Sequence, residues 1–166
     1  MSQELTRREA LAAVAASAGA TSVDPSILQR HGQAVERLLK TQVRDPASRW
    51  CGTCPDEFGL HNPHPAGGIL ETFTAAFLHP QSRFHRSNLL VERMRLAARH
   101  LERAQNSHGN INLLTTNFNS PPDTAFVVHS VGTAACLASR NNERELAGLT
   151  ERFLRRAAAG MAAGGI

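Results

Sequence analysis

Three groups of side chains in this chain have the types and spacing for chemistry. The first is Trp50-Cys51-Gly52-Thr53-Cys54-Pro55. It is close to the thioredoxin motif, in which a thiol at a helix N-terminus has a lowered pKa. That motif belongs after a strand and at the start of a helix. Here Asp45-Pro46 breaks the chain before it and Pro55-Asp56-Glu57-Phe58-Gly59 follows. A structural role is therefore expected for Cys51 and Cys54, as a local disulfide in an exported protein. Cys136, among small residues, reads as a buried thiol. The second group extends the first to Cys51-x2-Cys54-x6-His61-x2-His64. Zinc accepts sulfur and nitrogen ligands at about such spacings, but the segment lacks hairpin chemistry, and oxidation would compete with metal. No metal and no cofactor is the expectation, with His61 and His64 as loop residues lining a cleft.

The third group is the stretch His108-Gly109-Asn110-Ile111-Asn112-Leu113-Leu114-Thr115-Thr116-Asn117-Phe118-Asn119-Ser120, followed by Pro121-Pro122-Asp123. It lacks helical period and is dense in amide side chains. A polar loop between apolar helices is where a scaffold presents a binding surface. The structural alternative is that the asparagines satisfy turn backbone. Ser120-Pro121-Pro122-Asp123 is also a helix start, with a capping serine, proline in the first turn and an acid at the positive helix end. His129 lies further along the same helix, where a satisfied core histidine is the ordinary outcome.

The elements that must hold these groups are helices. Apolar residues recur at helical spacing over residues 26–42, 68–79, 87–106, 122–140 and 143–160. Asp45-Pro46, Pro80 and the Asn141-Asn142 pair separate them. No alternating strand pattern of convincing length occurs. The middle of the fourth helix, Val131-Gly132-Thr133-Ala134-Ala135-Cys136-Leu137, is small and uncharged, as for a closely packed inner helix. Long loop, inner helix, short turn and charged outer helix alternate, which predicts an all-α fold of antiparallel helix pairs. A helical-pair array or (α/α) toroid would show this alternation; so would a plain bundle. The end, Ala162-Ala163-Gly164-Gly165-Ile166, has no capping logic and reads as the start of another connection.

Composition narrows the partners. The formal charge is +4 and Lys40 is the only lysine. Arginine pairs bidentately with carboxylates and phosphates, so an acidic ligand suits the chain. Yet the arginines alternate with glutamates along helices, as solvated faces do. No basic run interleaved with aromatics is present, which argues against nucleic acid. At the start, Thr6-Arg7-Arg8-Glu9-Ala10-Leu11 resembles the twin-arginine pattern. An alanine-rich segment and Ala18-Gly19-Ala20 follow, as at a small-x-small cleavage site. Residues 1–20 are thus expected to be a signal peptide handled by the twin-arginine export machinery, too short for a stable membrane span. The mature helical domain would be residues 21–166, periplasmic or secreted.

With Gly109-Asn110-Ile111-Asn112, the helix entry from Asn117 to Phe126, the twin-arginine start and the helix pairs, the chain resembles the N-terminal part of exported bacterial α/α-toroid proteins. These are similar to polysaccharide lyases of the heparinase II/III type. The resemblance implies an incomplete toroid and β-elimination on acidic, uronic-acid polysaccharides or oligosaccharides. It implies catalytic parts for Asn119, Asp123 and His129, with Asn117 or Asn119 neutralising the carboxylate and His61, His64 or His129 moving protons. His61, His64, Asn110, Asn112 and Asn117 would bind substrate. The chain has no tyrosine, so the family's usual base must be replaced by histidine or come from elsewhere. A glycoside hydrolase with Asp123 and a second carboxylate from Asp56 or Glu57 is the rival enzyme. A non-catalytic carbohydrate-binding scaffold is the third reading. An isolated chain of this length is not expected to turn over substrate.

Overall fold

Asp24 opens the first helix of the computed structural model, which describes residues 23–113 and 117–163. Its Oδ1 accepts the Ser26 N–H at 2.8 Å and Pro25 fills the first turn, which suits a residue with no N–H to lose. Helix α1 (Pro25–Thr41) is followed by α2 (His64–Leu78), α3 (Asn88–Ala104), strands β1 (Ile111–Leu113) and β2 (Asn117–Ser120), α4 (Pro121–Arg140) and α5 (Arg144–Ala162). All-α character is thus the rule, with one small two-stranded sheet. None of the described helices is long and apolar enough to cross a membrane. The leader expected over residues 1–20, and the last three residues, lie outside the described residues.

The helices pair in two layers. Helix α2 packs on α4 and on α3, α4 packs on α5, and α3 on α5, while α1 lies against α2. Each hairpin therefore sets its first helix beside the first helix of the other, and its second beside the second. Between them lie Ile69, Leu70 and Phe73 of α2 and Leu90, Met94 and Leu101 of α3. Val127 and Val131 of α4 and Leu146 and Phe153 of α5 complete the core. Burying a large apolar side chain stabilises by about 1.5–3 kcal/mol, so this seam dominates cohesion. Gly67 permits the close approach of α2 to α4: a Cβ there would lie 3.4 Å from the Val127 side chain. Arg86–Glu143 and Arg95–Glu145 ion pairs cross between sequence-distant segments on the exposed side. Exposed pairs of this kind add about 0–1 kcal/mol each.

Two departures from the sequence expectation bear on the site. Helix α2 starts at His64, four residues before the expected Gly68. Asn62 Oδ1 accepts the His64 N–H at 2.9 Å, and Pro63 and Pro65 are tolerated because the first turn needs no intrahelical N–H donors. His64 therefore belongs to a helix start, not a loop. The asparagine stretch, expected to hold no strand, forms a short antiparallel hairpin with Ile111 opposite Ser120 and Leu113 opposite Asn117. Three- and four-residue strands rich in asparagine carry no readable alternation and poor strand propensity.

Candidate functional site

Most of the candidate residues gather where α2 and α4 begin and α3 ends. Asn106, just past α3, organises the first layer. Its Oδ1 accepts the N–H groups of His108 (2.9 Å) and Asn110 (3.1 Å), and its Nδ2 donates to Asn119 Oδ1 at 2.9 Å. Asn110, fully buried, donates from Nδ2 to the same Asn119 oxygen at 3.1 Å. Asn112 Oδ1 accepts the Asn119 N–H at 2.8 Å. Asn119 has φ of 49°, a left-handed conformation that asparagine tolerates better than most residues. The amides thus hold the hairpin to the end of α3. Helix α5 secures the same loop from behind. Arg156 Nη2 donates to the Asn106 carbonyl at 2.7 Å, and Gln105 Nε2 bridges the carbonyls of Gly109 and Phe153. Gly109, with φ of 85°, lies so close to the Arg156 carbonyl that a Cβ would stand 2.0 Å from it.

Ser120 and Asp123 form a reciprocal cap. Ser120 Oγ accepts the Asp123 N–H at 3.3 Å and donates to Asp123 Oδ2 at 2.5 Å, the logic of a capping box. Thr124 Oγ1 accepts the Ile111 N–H and donates to the Ser120 carbonyl, pinning β1 to the helix entry. Asp123 is buried, and its Oδ1 stands 3.9 Å from His64 Nε2. The two helix starts therefore face each other through a carboxylate and an imidazole. The His64 ring also lies 6.3 Å from that of Phe126, which is exposed.

The second layer is a cleft of about 240 Å³ lined by Arg49, Trp50, the segment His61 to Pro63, His100, Arg103, Ala104 and Asn112. Asn112 joins it to the asparagine network. The His61 ring stacks on Trp50 at 5.4 Å, and the Arg49 guanidinium sits 4.4 Å from the indole centre, a cation–π contact. Arg103 Nη2 donates to the Cys51 carbonyl at 2.7 Å, which anchors the Trp50 loop to α3. Among the described residues no carboxylate lines the cleft. Asp56, expected as a second carboxylate for hydrolysis, is a turn acceptor: its Oδ1 takes the N–H groups of Phe58 and Leu60, and its Oδ2 takes Asn62 Nδ2. His100, only 3% exposed, has its pKa pushed down to about 4, chiefly by burial, with Arg103 and His61 adding and the Cys51 carbonyl opposing. Neither of its ring nitrogens meets hydrogen-bond geometry with any described residue.

The expected site residues thus fall into three sets. His61 and Asn112 line the cleft; Asn110 and Asn119 lie in the network behind it, and His64 with Asp123 at the paired helix starts. Asn117 is on β2 opposite Leu113. His129 is exposed further along α4, its carbonyl accepting Thr133 Oγ1; it is not a core histidine and does not line the cleft. Cys136 is exposed rather than buried, because small residues cover the open face of α4 as well as its packed one. Cys51 and Cys54 are both buried and both free thiols rather than a disulfide. Burial pushes the Cys54 thiol up, against the Thr41 hydroxyl. Among the described residues no three metal-ligating side chains converge, so the Cys51, Cys54, His61, His64 spacing does not become a metal cage. Sequence reasoning missed Trp50 as a wall, His100 and Arg103; the last two stand about a turn apart on α3, His100 buried and Arg103 exposed, a spacing readable in the helical register.

A larger hollow of about 570 Å³ lies elsewhere, between α1 and the α2–α3 connection, with His31, His79 and Arg83 on its walls. Its Arg83 is paired to Glu36 at 2.9 Å, and no expected site residue reaches it. By architecture the described residues form an all-α chain of packed helices with one small two-stranded sheet. Searches against family models, curated proteins and solved structures each returned no match.

Proposed function

We propose that this chain is a carbohydrate-active protein of the exported α/α-toroid kind, and that its cleft binds a uronic-acid saccharide. One observation carries the reading: two guanidinium groups, of Arg49 and Arg103, and two imidazoles share a small cleft free of carboxylates. Arginine is suited to a planar carboxylate, and the polar side chains of His61, Asn62 and Asn112 suit sugar hydroxyls. The hairpin-on-hairpin packing supports a helical-pair array, of which a toroid is the closed form.

The reaction that such a site serves best is β-elimination. A guanidinium against the uronate carboxylate acidifies the adjacent C–H. The His61 imidazole takes that proton. The C–H electron pair becomes the new carbon–carbon double bond, the bond to the glycosidic oxygen breaks, and that oxygen leaves with the proton returned from His61. Hydrolysis by two flanking carboxylates is less well served, since Asp56 and Asp123 are engaged as turn and cap acceptors.

The protein is to be incubated with uronic-acid polysaccharides. New absorbance of unsaturated sugar reports elimination; new reducing ends without it report hydrolysis; binding alone reports a scaffold. Arg49→Ala should weaken uptake of acidic sugars and spare neutral ones. Equal binding of both by the wild type would refute the carboxylate reading. Export is a separate proposal, resting on Arg7-Arg8 and Ala18-Gly19-Ala20. Thr21 should be the first residue of protein recovered from the periplasm, and an intact Met1 there would overturn it.

A further inference from the structure

His100 is an anomaly in the site just described. It sits on α3, is 3% exposed, and lines the cleft. Neither of its ring nitrogens has a hydrogen-bond partner among the described residues. The Cys51 carbonyl accepts from Arg103 Nη2 at 2.7 Å and stands near enough to the ring to favour its protonated form, but without meeting hydrogen-bond geometry to either ring nitrogen. A buried polar atom left unpaired costs about 1–3 kcal/mol. Gly52, with φ of 103°, brings the Trp50 loop so near α3 that a Cβ would stand 2.9 Å from the His100 Cβ. The Trp50 loop thus closes over α3 at His100, whose ring lies 6.2 Å from the Trp50 ring where both line the cleft.

We propose that His100 is a ligand-reading residue of the cleft, exchanging a hydrogen bond with a hydroxyl of a bound sugar. The inference rests on the saccharide reading above and adds a division of labour to it. Arg49 distinguishes acidic from neutral sugars, whereas His100 responds to a hydroxyl that both carry. An imidazole kept neutral serves this task, since it offers one donor and one acceptor and brings no charge of its own. Burial and the adjacent Arg103 charge, with His61 beyond, keep it neutral at ordinary pH. A hydroxyl is matched to it because it too both gives and accepts.

The test uses the whole chain with two probes: a glucuronic-acid-containing disaccharide, and the same disaccharide with its carboxyl reduced to the alcohol. His100→Phe should lower affinity for both by about tenfold, the effect of losing one buried hydrogen bond, while raising the melting temperature of the free protein. Such opposite movement is what a strictly structural histidine cannot give. His100→Gln, which keeps a donor and an acceptor, should retain more affinity than His100→Phe. In the wild type, the His100 ring nitrogen resonances should shift when either probe is added. Unchanged affinity in His100→Phe, or a lowered melting temperature with lost affinity, overturns the inference alone. Failure of the wild type to bind either probe overturns the saccharide reading with it.

Discussion

Acidification should destabilise this fold through His100 before the carboxylates titrate. Imidazole ordinarily titrates near 6.5, and in the fold His100 titrates near 4. At about 1.4 kcal/mol per pH unit, that gap corresponds to about 3 kcal/mol; with the side chain almost fully buried, little of it is lost to solvent screening. The sign follows from where the proton binds. Between about 6.5 and 4 the unfolded chain takes up a proton that the folded chain refuses, so unfolding is favoured as pH falls through that window. This contribution is flat above the window and flat again below it. His31 is lowered as well, chiefly by burial and then by His79, and acts in the same direction. Urea unfolding of wild type and His100→Phe at steps from about pH 7 to pH 4 separates the two, because only the difference belongs to His100. The wild type should lose about 3 kcal/mol more than the variant across the window. Parallel pH profiles would refute the assignment.

Asn106→Ala removes two acceptor bonds and one donor bond at the end of α3, at about 1 kcal/mol each. A loss of about 2–3 kcal/mol by chemical denaturation is expected, and a loss below about 0.5 kcal/mol would mean the network does not hold the hairpin. Gly52→Ala places a Cβ 2.0 Å from the Leu96 carbonyl at a positive φ; it should destabilise more than Asn106→Ala, and a neutral effect would refute the packing of the Trp50 loop on α3. The buried thiols of Cys51 and Cys54 should react with a thiol reagent far more slowly than exposed Cys136 under native conditions. Faster modification of Cys51 or Cys54 than of Cys136 would show that the loop opens.

The helices were legible because their apolar residues keep a helical period over many turns: Leu90, Met94, Ala97 and Leu101 announce α3 and its buried side together. Ser120-Pro121-Pro122-Asp123 was equally readable, since capping is a local event among neighbours in sequence. Burial of single residues on α4 was not. His129 and Cys136 share small, uncharged surroundings with Val131 and Ala134, and no charge marks which face is open. The cleft was half legible. His61 and Asn112 stand out by type, but His100 and Arg103 look like two more polar residues on a mixed-charge helix. Only the return of the Trp50 loop onto α3, through Gly52 and the Cys51 carbonyl, makes them part of a site. The hairpin, too, depends on distant bonds, from Asn106 and Thr124, that no short window contains.

The clamp between α5 and the Asn106 loop bears on the order in which a growing chain can complete this end of the molecule. Every residue that lines the cleft precedes Leu113. The Phe153 carbonyl that holds Gln105, and the Arg156 guanidinium that holds the Asn106 carbonyl, come about fifty positions after the groups they hold. A nascent chain released as far as Asn142 thus possesses the whole lining and lacks the buttress behind it. Contacts so far apart in sequence form late, because the intervening loop must close first. Cleft and buttress are joined only once α5 has been made, so the Asn106 loop gains its support later in synthesis than the cleft gains its lining.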